Sequence, residues 1–201
     1  MVEVIDEYLS PSYFNFIKDM VENSSFPWEY TGDITDNVSN HSNSLKQFGF
    51  SHSIYNFMPY MARDNDYAKT IRPALLTIQD SLDCDIIQRA RFDMTVYSET
   101  EHIHSPHIDL DHQCPFYSVI LYINDSDGET IFYKQTSINT SHVIGSHDDY
   151  TVMKTVEPKA NRLVVFDGRI IHTGKSPTKN KRRILLNANF TSSKFEPYKF
   201  N

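Results

Sequence analysis

At 201 residues, with 39% apolar and 22% charged side chains, the chain has the size and balance of a globular domain with a real core, not of a disordered segment. Its net charge of −7 argues against nonspecific attraction to nucleic acid or to an anionic membrane surface and disfavours a nucleic-acid substrate, while leaving room for a local basic groove.

The opening residues Met1 to Glu7 lack the basic region and apolar run of a leader peptide. A first helix is expected over 9–23. Ser10 is placed to cap it and Pro11 sits where a missing N–H costs nothing. Leu9, Tyr13, Phe16, Ile17, Met20 and Val21 recur at helical spacing. From Asp33 to Ser44 the dense Asn, Ser, Asp and His residues read as a surface loop, between short aromatic strands at 26–30 and 48–57. His41 and His52 read as surface or packing residues. A second helix is expected over 64–83, capped by Asp64 or Asp66 and kinked or split at Pro73.

From Ile86 the period changes to two. Arg89, Arg91, Asp93, Thr95 and Tyr97 alternate with Ala90, Phe92, Met94 and Val96, as suits a barrel wall with a ligand inside. Further strands are expected at 116–123, 130–133, 150–156, 163–166 and 183–191, separated by Asn, Asp, Gly and Pro turns. The two cysteines, Cys84 and Cys114, offer no disulfide framework and no paired metal spacing. No apolar run approaches the roughly 20 residues that span a bilayer, so no membrane partner and a cytoplasmic location are expected. Helices first and short strands afterwards make an α+β protein. The expected core is a double-stranded β-helix, or jelly roll, over 86–201, with the N-terminal helices of the 1–85 support and loop region packed on one side of it, in one domain.

The stretch Glu101-His-Ile-His-Ser-Pro-His-Ile-Asp-Leu-Asp-His112 concentrates four imidazoles and two aspartates. His107 and Asp109 are two apart and share a face on extended backbone. With His172, a strand-end histidine far along the chain, they form the two-His, one-carboxylate set that suits non-haem iron(II). Arg183 opens a strand whose Leu185, Asn187 and Asn189 share its face, and a guanidinium there suits the far carboxylate of a metal-chelating diacid. Its neighbour Arg182 would point outward.

These segments resemble the prolyl 4-hydroxylase-like branch of the 2-oxoglutarate/iron(II)-dependent dioxygenases. The resemblance rests on Arg91–Tyr97, His-Ile-Asp at 107–109, Val119–Asp125 with Asp-Gly-Glu-Thr at 127–130, Leu163–His172 and Lys181–Asn187. It implies that His107, Asp109 and His172 ligate Fe(II), and that Arg183, Tyr97 and Tyr122 bind 2-oxoglutarate. It further implies O2 as co-oxidant, ascorbate as reductant, and hydroxylation of a C–H bond coupled to decarboxylation of 2-oxoglutarate to succinate and CO2. Peptidyl proline, another peptide side chain, a small molecule and a modified base all stay open as substrate. Arg89 and Arg91, if inward, would favour an acidic substrate group. The turn at 127–130 departs from the commoner double glycine, and a change of loop is expected there. Two rivals stand beside this reading: a cupin-like metal site using His102 and His104, which lacks flanking glycines, and a non-catalytic jelly-roll binding module. His102, His104 and His112 read as entrance or surface residues, His142 and His147 as solvated ones, and Asp111 as a surface aspartate or a partner of a ligating imidazole.

Overall fold

The computed structural model describes residues 1–35, 48–56 and 66–198. Its elements, in chain order, are β1 (Val2–Ile5), α1 (Pro11–Glu22), β2 (Glu29–Thr31), β3 (Gly49–Asn56), α2 (Asp66–Ser81), β4 (Ile86–Val96) and β5 (Phe116–Tyr122). There follow β6 (Thr130–Thr136), β7 (Val152–Val156), β8 (Leu163–Asp167), β9 (Ile170–Gly174) and β10 (Arg182–Thr191). His41 and Asp64 lie outside the described residues, as does most of the 33–60 loop region.

The strands form a seven-stranded sheet, in the order β1-β8-β5-β10-β4-β3-β2, and a three-stranded sheet, β7-β6-β9. Every pairing is antiparallel. Period-two alternation sorts side chains of the large sheet into two layers. Val119 and Leu121 of β5, Val165 of β8, and Ile184, Leu186 and Phe190 of β10 join one apolar cluster with Phe14, Ile17 and Val21 of α1 and Ile71, Leu75 and Ile78 of α2. Their neighbours Ile120, Tyr122, Val164, Phe166 and Leu185 turn the other way and meet Phe132, Val156 and Ile170 of the small sheet. This is the double-stranded β-helix. Each large apolar side chain fully buried in these layers contributes about 1.5–3 kcal/mol.

The helices depart from expectation in three details. Phe14, not Phe16, fills the buried stripe of α1, and Phe16 is 61% exposed. Ser10 makes no side-chain cap bond, although its carbonyl accepts from Phe14 N–H at 2.9 Å. Pro73 does not split α2, which runs from Asp66 to Ser81 around it. The reason lies in α1. Tyr13 Oη donates to Thr70 O at 2.6 Å and accepts from Ala74 N–H at 3.2 Å, so it stands between the two halves of one i→i−4 bond beside the proline. Tyr13→Phe leaves both backbone groups unmet, and we expect a loss of about 1–3 kcal/mol in urea unfolding. An unchanged midpoint would mean that the ladder closes without the phenol.

Two strands are additional to those expected, β1 and β9. The chain leaves β8 in the large sheet, turns through Asp167–Arg169 and enters β9 in the small one. Gly168 makes the turn possible, because a Cβ there would lie 2.1 Å from the Phe116 ring. That turn carries His172 to the interior.

Candidate active site

His107 and His172 hang from backbones that clasp each other, each N–H donating to the other's carbonyl at 2.9 Å. Their ring centroids are 4.5 Å apart. Nδ1 of His107 lies 3.0 Å from Ser105 O, and Nδ1 of His172 lies 3.0 Å from Ile170 O. A carbonyl only accepts, so both Nδ1 atoms carry the proton and both Nε2 atoms keep the lone pair a metal needs. Asp109 completes the group: its Oδ1 is 3.8 Å from His172 Nε2, and one ligand atom from each of the three residues lies within 4.8 Å of the others. Among the described residues no other set of three or more His, Cys, Asp or Glu side chains gathers in this way.

Asp109 is held on all sides. Oδ1 accepts from Arg89 Nη2 at 3.3 Å and Asn187 Nδ2 at 3.1 Å, and Oδ2 accepts from Asn189 Nδ2 at 3.0 Å. Asn189 is itself tied to Ser118 Oγ at 3.0 Å. Burial opposes ionisation of Asp109, but the cationic forms of His172 and His107, with Arg89, outweigh it and lower the carboxyl; with His107 neutral, the donors Arg89, Asn187 and Asn189 still face the carboxylate. Burial, aided by His172, lowers His107 to about 3. The site therefore presents a carboxylate beside a neutral His107 imidazole at neutral pH, the protonation states that ligation requires. Nitrogen and oxygen donors on one side of an otherwise open cavity fit Fe(II).

Arg183 lines the same cavity from β10 and is 6% exposed. Its Nη2 donates to Thr130 Oγ1 at 2.6 Å, and that hydroxyl also meets Tyr122 Oη at 2.5 Å. The guanidinium carbon stands 5.6 Å from the Tyr122 ring centre. Tyr122 is fully buried and reaches the cavity through Thr130, without itself lining it. Two glycines make room. A Cβ on Gly174 would come within 3.2 Å of Arg183 Nη1, and one on Gly128 would meet Lys175 O at 2.5 Å. The loop bearing Gly128 is pinned by Asp127, whose Oδ2 accepts from Thr178 and Lys179 N–H groups at 2.9 Å each. The departure from a double glycine thus builds a docked loop. Arg182 points away and pairs with Glu22 at 3.2 Å.

Tyr97 does not join this group. It lies one residue beyond the end of β4, is 53% exposed and is not among the cavity-lining residues, because the alternation that would aim it inward stops with the strand. Arg91 and Asp93 do line the cavity and pair at 2.9 Å, while Arg89 is occupied by Asp109 and Asn187. His104 was expected at the entrance or surface. It is buried in the cavity wall, with Nε2 3.0 Å from Ser176 Oγ. That contact spans 72 residues and has no local signal in the sequence. Asp111 accepts from Thr140 N–H at 2.5 Å and serves no ligating imidazole there. His147 pairs with Tyr133 Oη at 2.7 Å, and His52 packs between Phe26 and Tyr67 with Nδ1 3.0 Å from Pro27 O. Asn187 and Asn189, on the inward face of β10, grip Asp109, a contact that strand alternation alone does not announce.

Among solved structures the chain is similar to a prolyl hydroxylase from Trichoplax adhaerens in complex with a hypoxia inducible factor oxygen degradation domain peptide fragment. The TM-score is 0.65 and the identity 14%, over 96% of this chain and 84% of that one. It is also similar to a Pseudomonas putida prolyl-4-hydroxylase, with TM-score 0.55 and 16% identity over 94% and 92% of the two chains. The α-ketoglutarate-dependent epimerase SnoN from nogalamycin biosynthesis matches at TM-score 0.63 and 9% identity, over 98% and 80%. At these identities the likeness speaks for the fold. No curated protein sequence matches. The signature of the 2OG-Fe(II) oxygenase superfamily matches residues 92–191, a span that holds His107, Asp109, His172 and Arg183. The chain belongs to the 2OG-Fe(II) oxygenase superfamily, enzymes that work with Fe(II), 2-oxoglutarate and O2.

Proposed function

We propose that this oxygenase is of the prolyl-hydroxylase-like kind and hydroxylates a C–H bond of a peptide side chain, a peptidyl proline being the first candidate. The observation that carries the reading is the meeting of His107, Asp109 and His172, with ligand atoms within 4.8 Å, in one cavity with Arg183. His107 Nε2, His172 Nε2 and an Asp109 oxygen hold iron. Arg183 holds the far carboxylate of 2-oxoglutarate, with Thr130 and Tyr122 fixing the guanidinium. When bound, Fe(II) activates O2 so that 2-oxoglutarate is decarboxylated to succinate and one oxygen atom enters the substrate. The protein contributes geometry: the carbonyls of Ser105 and Ile170 orient the imidazoles, and Arg89, Asn187 and Asn189 orient the carboxylate.

The substrate reading draws on the two prolyl hydroxylases the fold resembles, while the epimerase marks that this fold serves other oxidative outcomes. Arg91 and Asp93 stand in the cavity wall, where an acidic group on the substrate finds a guanidinium already partnered by a carboxylate. Ascorbate as reductant, a cytoplasmic location, and the two helices bracing the large sheet from one side belong to the same proposal; no helix among the described residues is long and apolar enough to cross a membrane.

The test is thermal unfolding with Mn(II), with and without 2-oxoglutarate, alongside succinate formation with Fe(II). Ligands at about a hundred times their Kd stabilise by about 2.7 kcal/mol, a rise of roughly 5–10 °C for a chain of this size. Arg183→Ala should keep the metal's contribution and lose most of that of 2-oxoglutarate. Absence of both the shift and succinate would favour a non-catalytic binding module.

A further inference from the structure

Among the described residues, and histidines aside, the charged side chains lining the metal cavity are Asp109, Arg183, Arg91 and Asp93. Asp109 goes to the metal and Arg183 to the cosubstrate, which leaves Arg91 and Asp93. They stand two apart on the inward face of β4, with Arg91 Nε 2.9 Å from Asp93 Oδ1. Neither is sealed in: 19% of the Arg91 side chain and 21% of that of Asp93 stay accessible. Ile34 O steadies the guanidinium by accepting from Nη2 at 3.3 Å. Across β10, Arg91 faces Asn187, a donor to Asp109. Across β3, Ser53 faces Arg91 and Ser51 faces Asp93. Ser51 Oγ lies 3.0 Å from Thr31 Oγ1 on β2, the last strand of the sheet. Cross-strand partners share a face, so partly exposed hydroxyls continue from the ion pair toward the sheet edge. From β4 to β2 is about 10 Å, the length of about three extended residues.

A substrate that reaches the metal along this face lies against the pair. A carboxylate would meet Asp93, and an ammonium would meet Arg91. An apolar group would strip water from both charges and return nothing. A group with an N–H and a carbonyl side by side serves both, and that group is an amide. Burial pushes the Asp93 carboxyl up in spite of Arg91 and Arg89, so a further donor stabilises its charged form. We propose that Asp93 and Arg91 take one backbone amide of an extended peptide substrate, N–H to the carboxylate and C=O to the guanidinium, and that Ser51 and Thr31 carry the chain on toward the sheet edge. This rests on the reading of the cavity as the site of a peptide hydroxylase.

The experiment uses the full-length protein loaded with Mn(II) and 2-oxoglutarate, and proton NMR to follow the broadening of small probes that come near the metal. The probes are N-acetyl-L-proline methylamide and N-acetyl-L-proline methyl ester, neutral molecules of one size in which the ester lacks the N–H. In the wild type the amide should bind about tenfold more tightly than the ester, as a hydrogen bond to a charged group provides. The alanine counterparts, which fit where a proline ring does not, should show the same ratio. Arg91→Met combined with Asp93→Leu exchanges the ion pair for apolar side chains, a change that folds tolerate. There the two probes should bind equally, while unchanged 2-oxoglutarate affinity reports an intact cavity. Asp93→Asn, which keeps an accepting oxygen, should keep most of the preference. Equal binding of amide and ester in the wild type for both residues, or a preference that persists in the double variant, overturns the proposal. Failure of the underlying reading looks different: the preference is present, but no amide probe raises succinate formation with Fe(II).

Discussion

His172→Ala should abolish the stabilisation by Mn(II) and cut succinate formation by at least about a hundredfold, the upper end of what disturbing even a ligand's outer partners does. His172 is almost wholly buried and packs with its ring 4.8 Å from that of Phe166. Its Nδ1 is fixed by Ile170 O and its Nε2 looks at Asp109 from 3.8 Å. Removing the imidazole leaves one nitrogen and one carboxylate, too few donors to hold the ion on one side. The cost to the fold is separable, since metal-free unfolding reads it directly. A variant that still gains stability from Mn(II) would place the metal elsewhere, and the reading of the triad would fall.

The second large effect is acid lability of the metal-free protein beginning near pH 6.5. His104 is buried against Ser176, and burial first, then the neighbouring His102, lowers it to about 3. In the unfolded chain an imidazole takes up its proton near 6.5. A folded-state value below the unfolded one means that the stabilisation is complete above pH 6.5 and is lost as pH falls from there toward 3. Over that window the slope is about 1.4 kcal/mol per pH unit for this one group. Urea midpoints at pH 7.5, 6 and 5, in chelator, read it. His107, also lowered to about 3, adds a like slope, so His104→Gln should reduce the slope by about 1.4 kcal/mol per pH unit and leave the His107 share. A midpoint that stays level from pH 7.5 to 5 in the wild type would show that His104 is protonated as readily folded as unfolded. Carboxylates act later: hydrogen bonds from Thr178 and Asn180 overcome burial to hold Asp127 at about 2, so its share disappears only below about pH 4.

What the sequence made legible follows from what is periodic. His107 and Asp109 were readable as a pair because extended backbone repeats every two residues, and Arg183 with Asn187 and Asn189 for the same reason. The inward and outward layers of β5, β8 and β10 follow the same rule. Where periodicity ends, so does the reading. Tyr97 lies one step past Val96, where β4 stops and the next side chain is no longer bound to alternate. Strand β9 was hidden because Ile170–Gly174 is short and sits directly after β8 across a glycine turn, so sequence alone does not say that the chain changes sheets there. Its run of Ile-Ile-His-Thr was the available signal. Tyr13 bridging α2 and Ser176 meeting His104 are long-range contacts, and no local pattern encodes them.

The mutual clasp of the His107 and His172 backbones makes strand alignment and coordination a single property. Were the 103–109 segment to slide by one residue along β9, Ile108 would face inward where Asp109 now stands, and the imidazole would swing to the opposite side. An inserted or deleted residue between the two sheets is therefore as severe as deleting a ligand outright, even when every donor is still present in the chain.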